Sequence, residues 1–324
     1  MLEEMCALTA VGGDILIPGS FDYVVANSVS EAIALLEQHG DEAKILAGGQ
    51  SLIPVLRFRL ASPSVLIDIN RIQDLEYIEE ADGALHIGAL TREFELDRSP
   101  LISKRYPILL DTSTSVADPI VRNWATVGGN LVHADPANDH PATMMALGAS
   151  VVVAGPNGQR IIPITEFFTD SAFETTLGPN EILTEIRIPA PAEHSGGAYF
   201  KLERKVGDYA TAGVAVYVAL DGAGGVGIDT DSGRIQMTTG GNVVSAGIGL
   251  TNVGSHPIKA TAAEEFLVGK PLSAENIVHA ADLAVSASEP TGDLRGSEEY
   301  KRAMVHTLCV RALNKALARA TGGE

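Results

Sequence analysis

"KILAGGQSLIPVLRFRLASPSVLIDIN" (residues 44–70) ends one apolar run in two consecutive glycines, Gly48 and Gly49, and then carries polar and basic residues into a second. One glycine suffices for most turns between a strand and a helix, so the pair asks for another reason. The spacing fits neither G-x-G-x-x-G nor G-x-x-x-x-G-K-[ST], which removes the Rossmann and Walker readings. Two glycines in succession let backbone N–H groups point into one concavity with no Cβ in the way, a shape that suits phosphate oxygens. Ser51 adds a hydroxyl, and the following turn of chain can add a helix N-terminus. Taken alone, the pair reads first as a tight turn between a strand and a helix. What shifts the balance is a second copy: "DPIVRNWATVGGNLVHADPANDHPA" (118–142) places Gly128, Gly129 and Asn130 after Thr126, so two loops can clasp the two phosphates of one dinucleotide. A third Gly-Gly-Asn (240–242) lies between two alternating apolar runs and reads as a hairpin turn.

Around these loops the elements alternate. "SVSEAIALLEQHG" (28–40) is a helix with Ser28 or Ser30 as N-cap and Gly40 at its end. Residues 44–47, 65–69 and 84–90 read as strands, and 142–155 as a buried helix running into a strand. The α/β pattern holds to about Ile188, where "IPAPAEHSGG" (188–197) marks a boundary. Beyond it, 210–220 and 243–253 alternate as antiparallel strands, and helices begin at Ser273 and Ser297. The last helix is expected to bury a stripe of Tyr300, Met304, Leu308, Ala312 and Leu317.

Bulk properties exclude several classes of function. With 324 residues, 45% of them apolar, the chain can bury a large core in two or three domains. Its 23 Lys and Arg against 41 Asp and Glu leave a net charge of −18, which disfavours a sequence-independent grip on nucleic acid or an anionic membrane. Cys6 and Cys309, at opposite ends, provide neither a disulfide framework nor four thiolates, so any iron–sulfur cluster belongs on another chain. The acidic start lacks the basic region of a leader, and no apolar stretch reaches the ~20 residues of a membrane span; cytoplasmic residence is expected. His133, Asp135, Asp139 and His140 are metal-ligating types, but their spacing does not set two on one helical face, and no metal is expected. No Ser-His-Asp or Cys-His nucleophile signature is present.

The segments 46–63, 117–142, 205–216 ("KVGDYATAGVAV") and 247–260 ("GIGLTNVGSHPIKA") together resemble the FAD-binding medium subunits of aerobic carbon monoxide dehydrogenase and its relatives among the molybdenum hydroxylases, xanthine dehydrogenase included. The resemblance runs from about Ile17 to Arg319. It implies an α+β chain: an N-terminal tail (1–16), a two-lobed α/β FAD-binding domain of the PCMH type (17–192), and a C-terminal domain of a small antiparallel sheet packed with helices (193–324). It implies that Ala47, Gly48, Gly49, Gln50, Ser51 and Leu52 hold the FAD diphosphate from one side, and Thr126, Val127, Gly128, Gly129 and Asn130 from the other. On that view the second glycine keeps a side chain away from a phosphate. Asp139 would bind the flavin, Leu183 would touch its ring system, Lys201 would place a positive charge there, and Tyr209 would lie beside the isoalloxazine.

Where xanthine-oxidising relatives carry phenylalanine, ten residues before Thr126, this chain has Val116, which argues against their reactivity toward NAD or oxygen. The function implied is electron transfer from [2Fe–2S] clusters to FAD and on to an acceptor such as a quinone. Molybdopterin would sit on a large partner chain and the clusters on a small one, in a dimer of heterotrimers. No residue here would be catalytic, and carbon monoxide, an N-heterocycle or an aldehyde would be chosen on the large chain. Membrane contact would come at most through the acceptor. A self-contained FAD oxidase or reductase, and a flavin-free scaffold, are the alternatives.

Overall fold

The computed structural model describes residues 17–222, 226–228, 235–237 and 241–323; the expected tail (1–16) and Gly240 of the third glycine pair lie outside them. The first lobe runs β1 (Asp22–Val25), α1 (Val29–His39), β2 (Ala43–Leu46), α2 (Leu52–Arg57), β3 (Val65–Asp68). Its strands form a parallel sheet in the order β1-β3-β2. Ser28 is the N-cap of α1, its hydroxyl accepting from the Glu31 N–H at 3.1 Å, and Gly40 ends the helix at φ +55°. Ala32 and Leu36 of α1 pack on Val65 and Ile67, closing a small core.

The second lobe opens with β4 (Ile78–Ala81) and β5 (Ala84–Gly88). Six short helices follow: α3 (Glu93–Arg98), α4 (Pro100–Arg105), α5 (Pro107–Ser115), α6 (Pro119–Arg122), α7 (Val127–His133) and α8 (His140–Ala146). It closes with β6 (Ser150–Gly155), β7 (Gly158–Pro163), α9 (Ile164–Phe167) and β8 (Ile182–Pro189). Its strands also alternate with helices, but they pair antiparallel in the order β4-β5-β8-β6-β7. Proline opens α4, α5 and α6 and lies at the start of α8, where a missing N–H is harmless, so the chain turns sharply between short helices.

The C-terminal domain contains β9 (Ser195–Leu202), β10 (Ala212–Leu220), β11 (Val226–Ile228), β12 (Ile235–Met237), β13 (Val243–Thr251) and β14 (Ile258–Lys259). Helices α10 (Thr261–Leu267), α11 (Ala274–Ala287) and α12 (Glu298–Ala320) follow. The main sheet is antiparallel in the order β14-β13-β10-β9, and β11 pairs with β12. Val214, Val216 and Val218 of β10 face a core shared with α11 and α12, while Ala215 faces a second cluster with Ala142 and Ala146 of α8. Burial on both faces explains why β10 is apolar almost throughout rather than alternating.

Small residues set how closely α8 can lie on this sheet. A Cβ added at Gly247 or Gly249 of β13 would stand 1.9 Å from the Ala146 carbonyl oxygen or 2.0 Å from that of Ala142. The helix therefore rests directly on the strand backbone. A second tie is the Arg319 guanidinium near the end of α12, which grips both oxygens of Asp111 in α5 (2.5 and 2.9 Å) and the Gly197 carbonyl.

The stripe expected on α12 holds at Leu308 and Ala312, with Met304 and Leu317 packed at the edge of the same core, and fails at Tyr300. The buried set is Lys301, Val305, Leu308, Cys309, Ala312, Leu313, Ala316 and Ala320, whereas Tyr300 is 45% exposed. A lysine at the head of the true stripe hides it in the sequence. Lys301 is accommodated because its ammonium donates to Asp293 at 2.8 Å.

Gly249→Ala should force α8 off the sheet and destabilise the protein by about 1–3 kcal/mol, as overpacking does. Gly19→Ala, with nothing near its Cβ, should change stability by no more than about 0.5 kcal/mol. Paired denaturant titrations check both.

Candidate cofactor site

The two glycine loops meet. A Cβ on Gly48 would lie 2.2 Å from the Trp124 carbonyl oxygen, and one on Gly129 would lie 2.6 Å from the Thr126 hydroxyl and 3.9 Å from the Ala47 Cβ. The side-chain amide of Gln50 reaches toward the Val121 carbonyl at 3.5 Å. Between the loops lies a polar junction: the Asn70 amide donates to the Ala47 carbonyl (2.9 Å), while Arg92 donates to the Asn70 Oδ1 (2.6 Å) and to the Trp124 carbonyl (2.5 Å). Asn70 and Arg92 were not singled out in the sequence. Asn70 lies at the end of the opening quotation, but nothing local shows that it reaches back to Ala47.

The structure revises the reason for all four glycines. Gly49 has φ +74°, a conformation that requires glycine whatever lies nearby, so no phosphate is needed to explain it. Gly48 is required by the close approach of Trp124. Gly128 is required by Ala89, whose carbonyl oxygen would stand 2.6 Å from an added Cβ. Gly129 is required by the Thr126 hydroxyl, which accepts its N–H at the start of α7 and would stand 2.6 Å from an added Cβ.

The loops differ in the polar groups they leave free. Among the described residues, the N–H groups of Gly48, Gly49, Gln50, Ser51 and Leu52 donate to no protein acceptor. Five consecutive unspent donors, beginning in a glycine turn, form a nest for an anion. On the second loop, by contrast, Val127 donates to the Thr91 carbonyl, Gly128 to that of Ala89, Gly129 to the Thr126 hydroxyl and Asn130 to the Thr126 carbonyl. That side can therefore offer side chains rather than backbone donors. Asn130 Oδ1 is buried and has no partner, an orphan acceptor on the same loop. The nest and this orphan oxygen fit a ligand with phosphates and hydroxyls.

A second cluster stands where α8 meets the C-terminal domain. Asp139, 6% exposed, accepts from the Tyr199 hydroxyl at 2.5 Å and the Lys201 ammonium at 3.3 Å. Burial pushes the Asp139 carboxyl above its ordinary range, opposed by Lys201 and the Tyr199 hydrogen bond. Burial and Asp139 together push Tyr199 far above the usual phenol value. Lys201 also donates to the Ser115 and Asp208 carbonyls (2.5 and 3.1 Å), so its three donors are spent inside the protein. Tyr199 was another omission, although it lies two residues before Lys201 on the same face of β9.

Tyr209 stands in the loop between β9 and β10, outside the sheet core; it is 44% exposed, with the Arg295 guanidinium 5.7 Å from its ring centre. Its loop packs on the turn after α5, because a Cβ on Gly207 would meet the Ala117 carbonyl oxygen at 2.8 Å. Leu183 of β8 is 4% exposed and belongs to the core of the second lobe. Val116, at the end of α5, is buried. The residues weighed as metal ligands are engaged separately: His133 stacks on Phe173, Asp139 joins Tyr199 and Lys201, and His140 turns to Glu93. A cleft of about 670 Å³ lies between α4–α5, the linker after β8 and the end of α12, and none of the expected site residues lines it.

Comparison with known proteins supplies the family. A family model described as the FAD binding domain in molybdopterin dehydrogenase matches residues 19–191, and one described as the CO dehydrogenase flavoprotein C-terminal domain matches 197–316. The carbon monoxide dehydrogenase medium chain of Hydrogenophaga pseudoflava is 44% identical over 304 residues, covering 94% of this chain and 99% of that one. A chain of the solved carbon monoxide dehydrogenase of that organism matches with a TM-score of 0.86 over the same shares. A chain of quinoline 2-oxidoreductase from Pseudomonas putida 86 matches at 32% identity with a TM-score of 0.83, covering 94% of this chain and 99% of that one. The α subunit of the 6-hydroxypseudooxynicotine dehydrogenase complex of Paenarthrobacter nicotinovorans is 40% identical, covering 94% of this chain and 96% of that one. The chain thus belongs to the FAD-binding medium chains of the molybdopterin dehydrogenases, of the carbon monoxide dehydrogenase type.

Proposed function

We propose that this chain is the electron-transfer subunit of a molybdenum hydroxylase complex, holding FAD between its two glycine loops and the Asp139 cluster. The observation that carries the proposal is the run of unspent N–H donors from Gly48 to Leu52, set against the orphan oxygen of Asn130. The residues of 47–52 hold the diphosphate through backbone donors. Thr126, Val127, Gly128, Gly129 and Asn130 shape the opposite wall, with Asn130 as the polar contact. FAD supplies the capacity to take up electrons singly and release them as a pair.

Lys201 and Asp139 set the local electrostatics without offering a free donor, since both are engaged within the protein. Lys201 thus acts on a neighbouring flavin through its charge alone. Leu183 contributes apolar packing behind the site. The exposed ring of Tyr209 covers an approach to the isoalloxazine.

The partners in this reading are a large molybdopterin chain and a small [2Fe–2S] chain, in a cytoplasmic dimer of heterotrimers. The domain boundary falls near residue 192, between β8 and β9. Relatives named for carbon monoxide, 6-hydroxypseudooxynicotine and caffeine align over almost the whole chain, which supports a medium chain that does not choose the substrate. Purification of the chain alone tests the function. A yellow protein that passes electrons only after its partners are added is expected; colourless protein would favour the scaffold, and turnover in isolation would favour an oxidase.

Gly129→Val should collide with the Thr126 hydroxyl, displace the second glycine loop and abolish FAD retention while the C-terminal domain stays folded. Flavin absorbance after gel filtration, together with circular dichroism, reads both, and full occupancy would refute the cradle. Lys201→Met should strand the Asp139 carboxylate, destabilising the protein by about 3–5 kcal/mol at neutral pH. Because Asp139 has a raised folded pKa, the penalty should shrink as pH falls toward its unfolded value and the group takes up a proton. Denaturant titrations in acid and at neutrality measure the difference. With the flavin face screened by Tyr209, the assembled complex should reduce quinones or dyes in preference to NAD, and Tyr209→Ala should raise reactivity toward small oxidants. Steady-state assays with each acceptor offered separately decide this; rapid NAD reduction by the unmodified complex would show the face to be open.

A further inference from the structure

Glu93 and His140 are wholly buried, and the cofactor reading gives them no task. Glu93 opens α3 and His140 opens α8, with His140 Nε2 2.8 Å from Glu93 Oε2 and both side chains 0% exposed. Their remaining polar atoms, Glu93 Oε1 and His140 Nδ1, are buried without partners. A buried ion pair with two orphan atoms is a poor way to stabilise a fold, because desolvation offsets much of the attraction. What the pair joins is more informative.

On one side, the Glu93 N–H donates to the Ala125 carbonyl at 3.0 Å, while its neighbours Thr91 and Arg92 hold the Val127 N–H and the Trp124 carbonyl. Glu93 is therefore part of the support of the second glycine loop. On the other side, His140 follows Asp139, which is bound to Lys201, and Lys201 fixes the Asp208 carbonyl just before Tyr209. We propose that Glu93 and His140 are positioning residues for FAD, their pair holding the phosphate side of the cleft in register with the side built from Asp139, Lys201 and Tyr209. This rests on the reading of the site given above.

The charged groups facing His140 are Glu93 and Asp97 of α3 and Asp139 beside it, with Lys201 and Tyr199 of β9 beyond Asp139. Burial lowers the His140 pKa, but Glu93, Asp139 and Asp97 outweigh it and leave the value raised. The ion pair is then complete below the ordinary histidine pKa and is lost as pH rises through the higher folded value. With His140 neutral, the register that FAD needs is less populated, and apparent affinity falls by that fraction.

The test is FAD titration into the flavin-free full-length chain across neutral and alkaline pH, read by flavin fluorescence and by the emission of Trp124, the single tryptophan. The unmodified protein should bind FAD about tenfold more weakly once the pair is lost. Glu93→Gln and His140→Gln should bind weakly throughout and show no such step. Asp97→Asn, farther from the pair, should move the step to lower pH, which keeps the test open if the buried variants do not fold. A flat profile for the unmodified protein, a step that survives in both glutamine variants, or one unmoved by Asp97→Asn would overturn the proposal. Failure of the unmodified protein to bind FAD at any pH would instead overturn the reading of the site.

Discussion

Lys201 has an ammonium group with three N–H donors, a side chain only 3% exposed, and acceptors drawn from separate parts of the chain. The Ser115 carbonyl ends α5, the Asp208 carbonyl precedes Tyr209, and Asp139 leads into α8. An ammonium buried this far must keep its partners or its charge becomes very costly. Three elements are thereby fixed relative to β9. The strand's alternation places Tyr199 on the same face, where it takes the other oxygen of Asp139. One strand face thus satisfies both oxygens of a buried carboxylate and ties the FAD-binding domain to the C-terminal sheet.

The phosphate side is organised by a different junction with a similar logic. Asn70 follows β3 of the first lobe and Arg92 precedes α3 of the second, and their contact links Ala47 of one glycine loop to Trp124 of the other. Each lobe has its own apolar core. Apolar burial is non-directional and leaves two lobes some freedom to slide, whereas a guanidinium bound at fixed angles does not. The separation between loops is thus set by polar contacts, and a ligand seated there bears on both lobes at once.

How much of this was legible in the sequence depended on distance along the chain. Ser28, Gly40, Ser273 and Ser297 announce their helix ends because caps act within one turn. The glycine pairs were equally visible, yet their reasons were not. Gly48 answers to Trp124 across the two lobes and Gly128 to Ala89 within the second, contacts between residues remote in sequence that exist only after folding. The α12 stripe was misread only at its head, where Lys301 rather than Tyr300 is buried and its partner Asp293 lies outside the helix. Asn70, Arg92 and Tyr199 escaped for the same reason: each is a polar residue whose partner is remote in sequence.

The disposition of titratable groups bears on what kind of protein such a site makes. Asp139 is held by Tyr199 and Lys201, Glu93 by His140, and Arg92 by Asn70 and Trp124. A general acid or base has to exchange protons with a substrate within hydrogen-bond reach, and groups already committed to buried partners are poorly placed to do so. At the glycine loops the groups left uncommitted are of another kind: backbone N–H donors and one asparagine oxygen. Such groups bind and orient without taking part in bond making. Positioning is what electron transfer asks of a protein, because distance and local charge govern its rate and direction. Under the proposed electron-transfer role, such a site need not change when the molecule oxidised elsewhere changes. Near full-length similarity to relatives named for carbon monoxide and for caffeine fits that proposal.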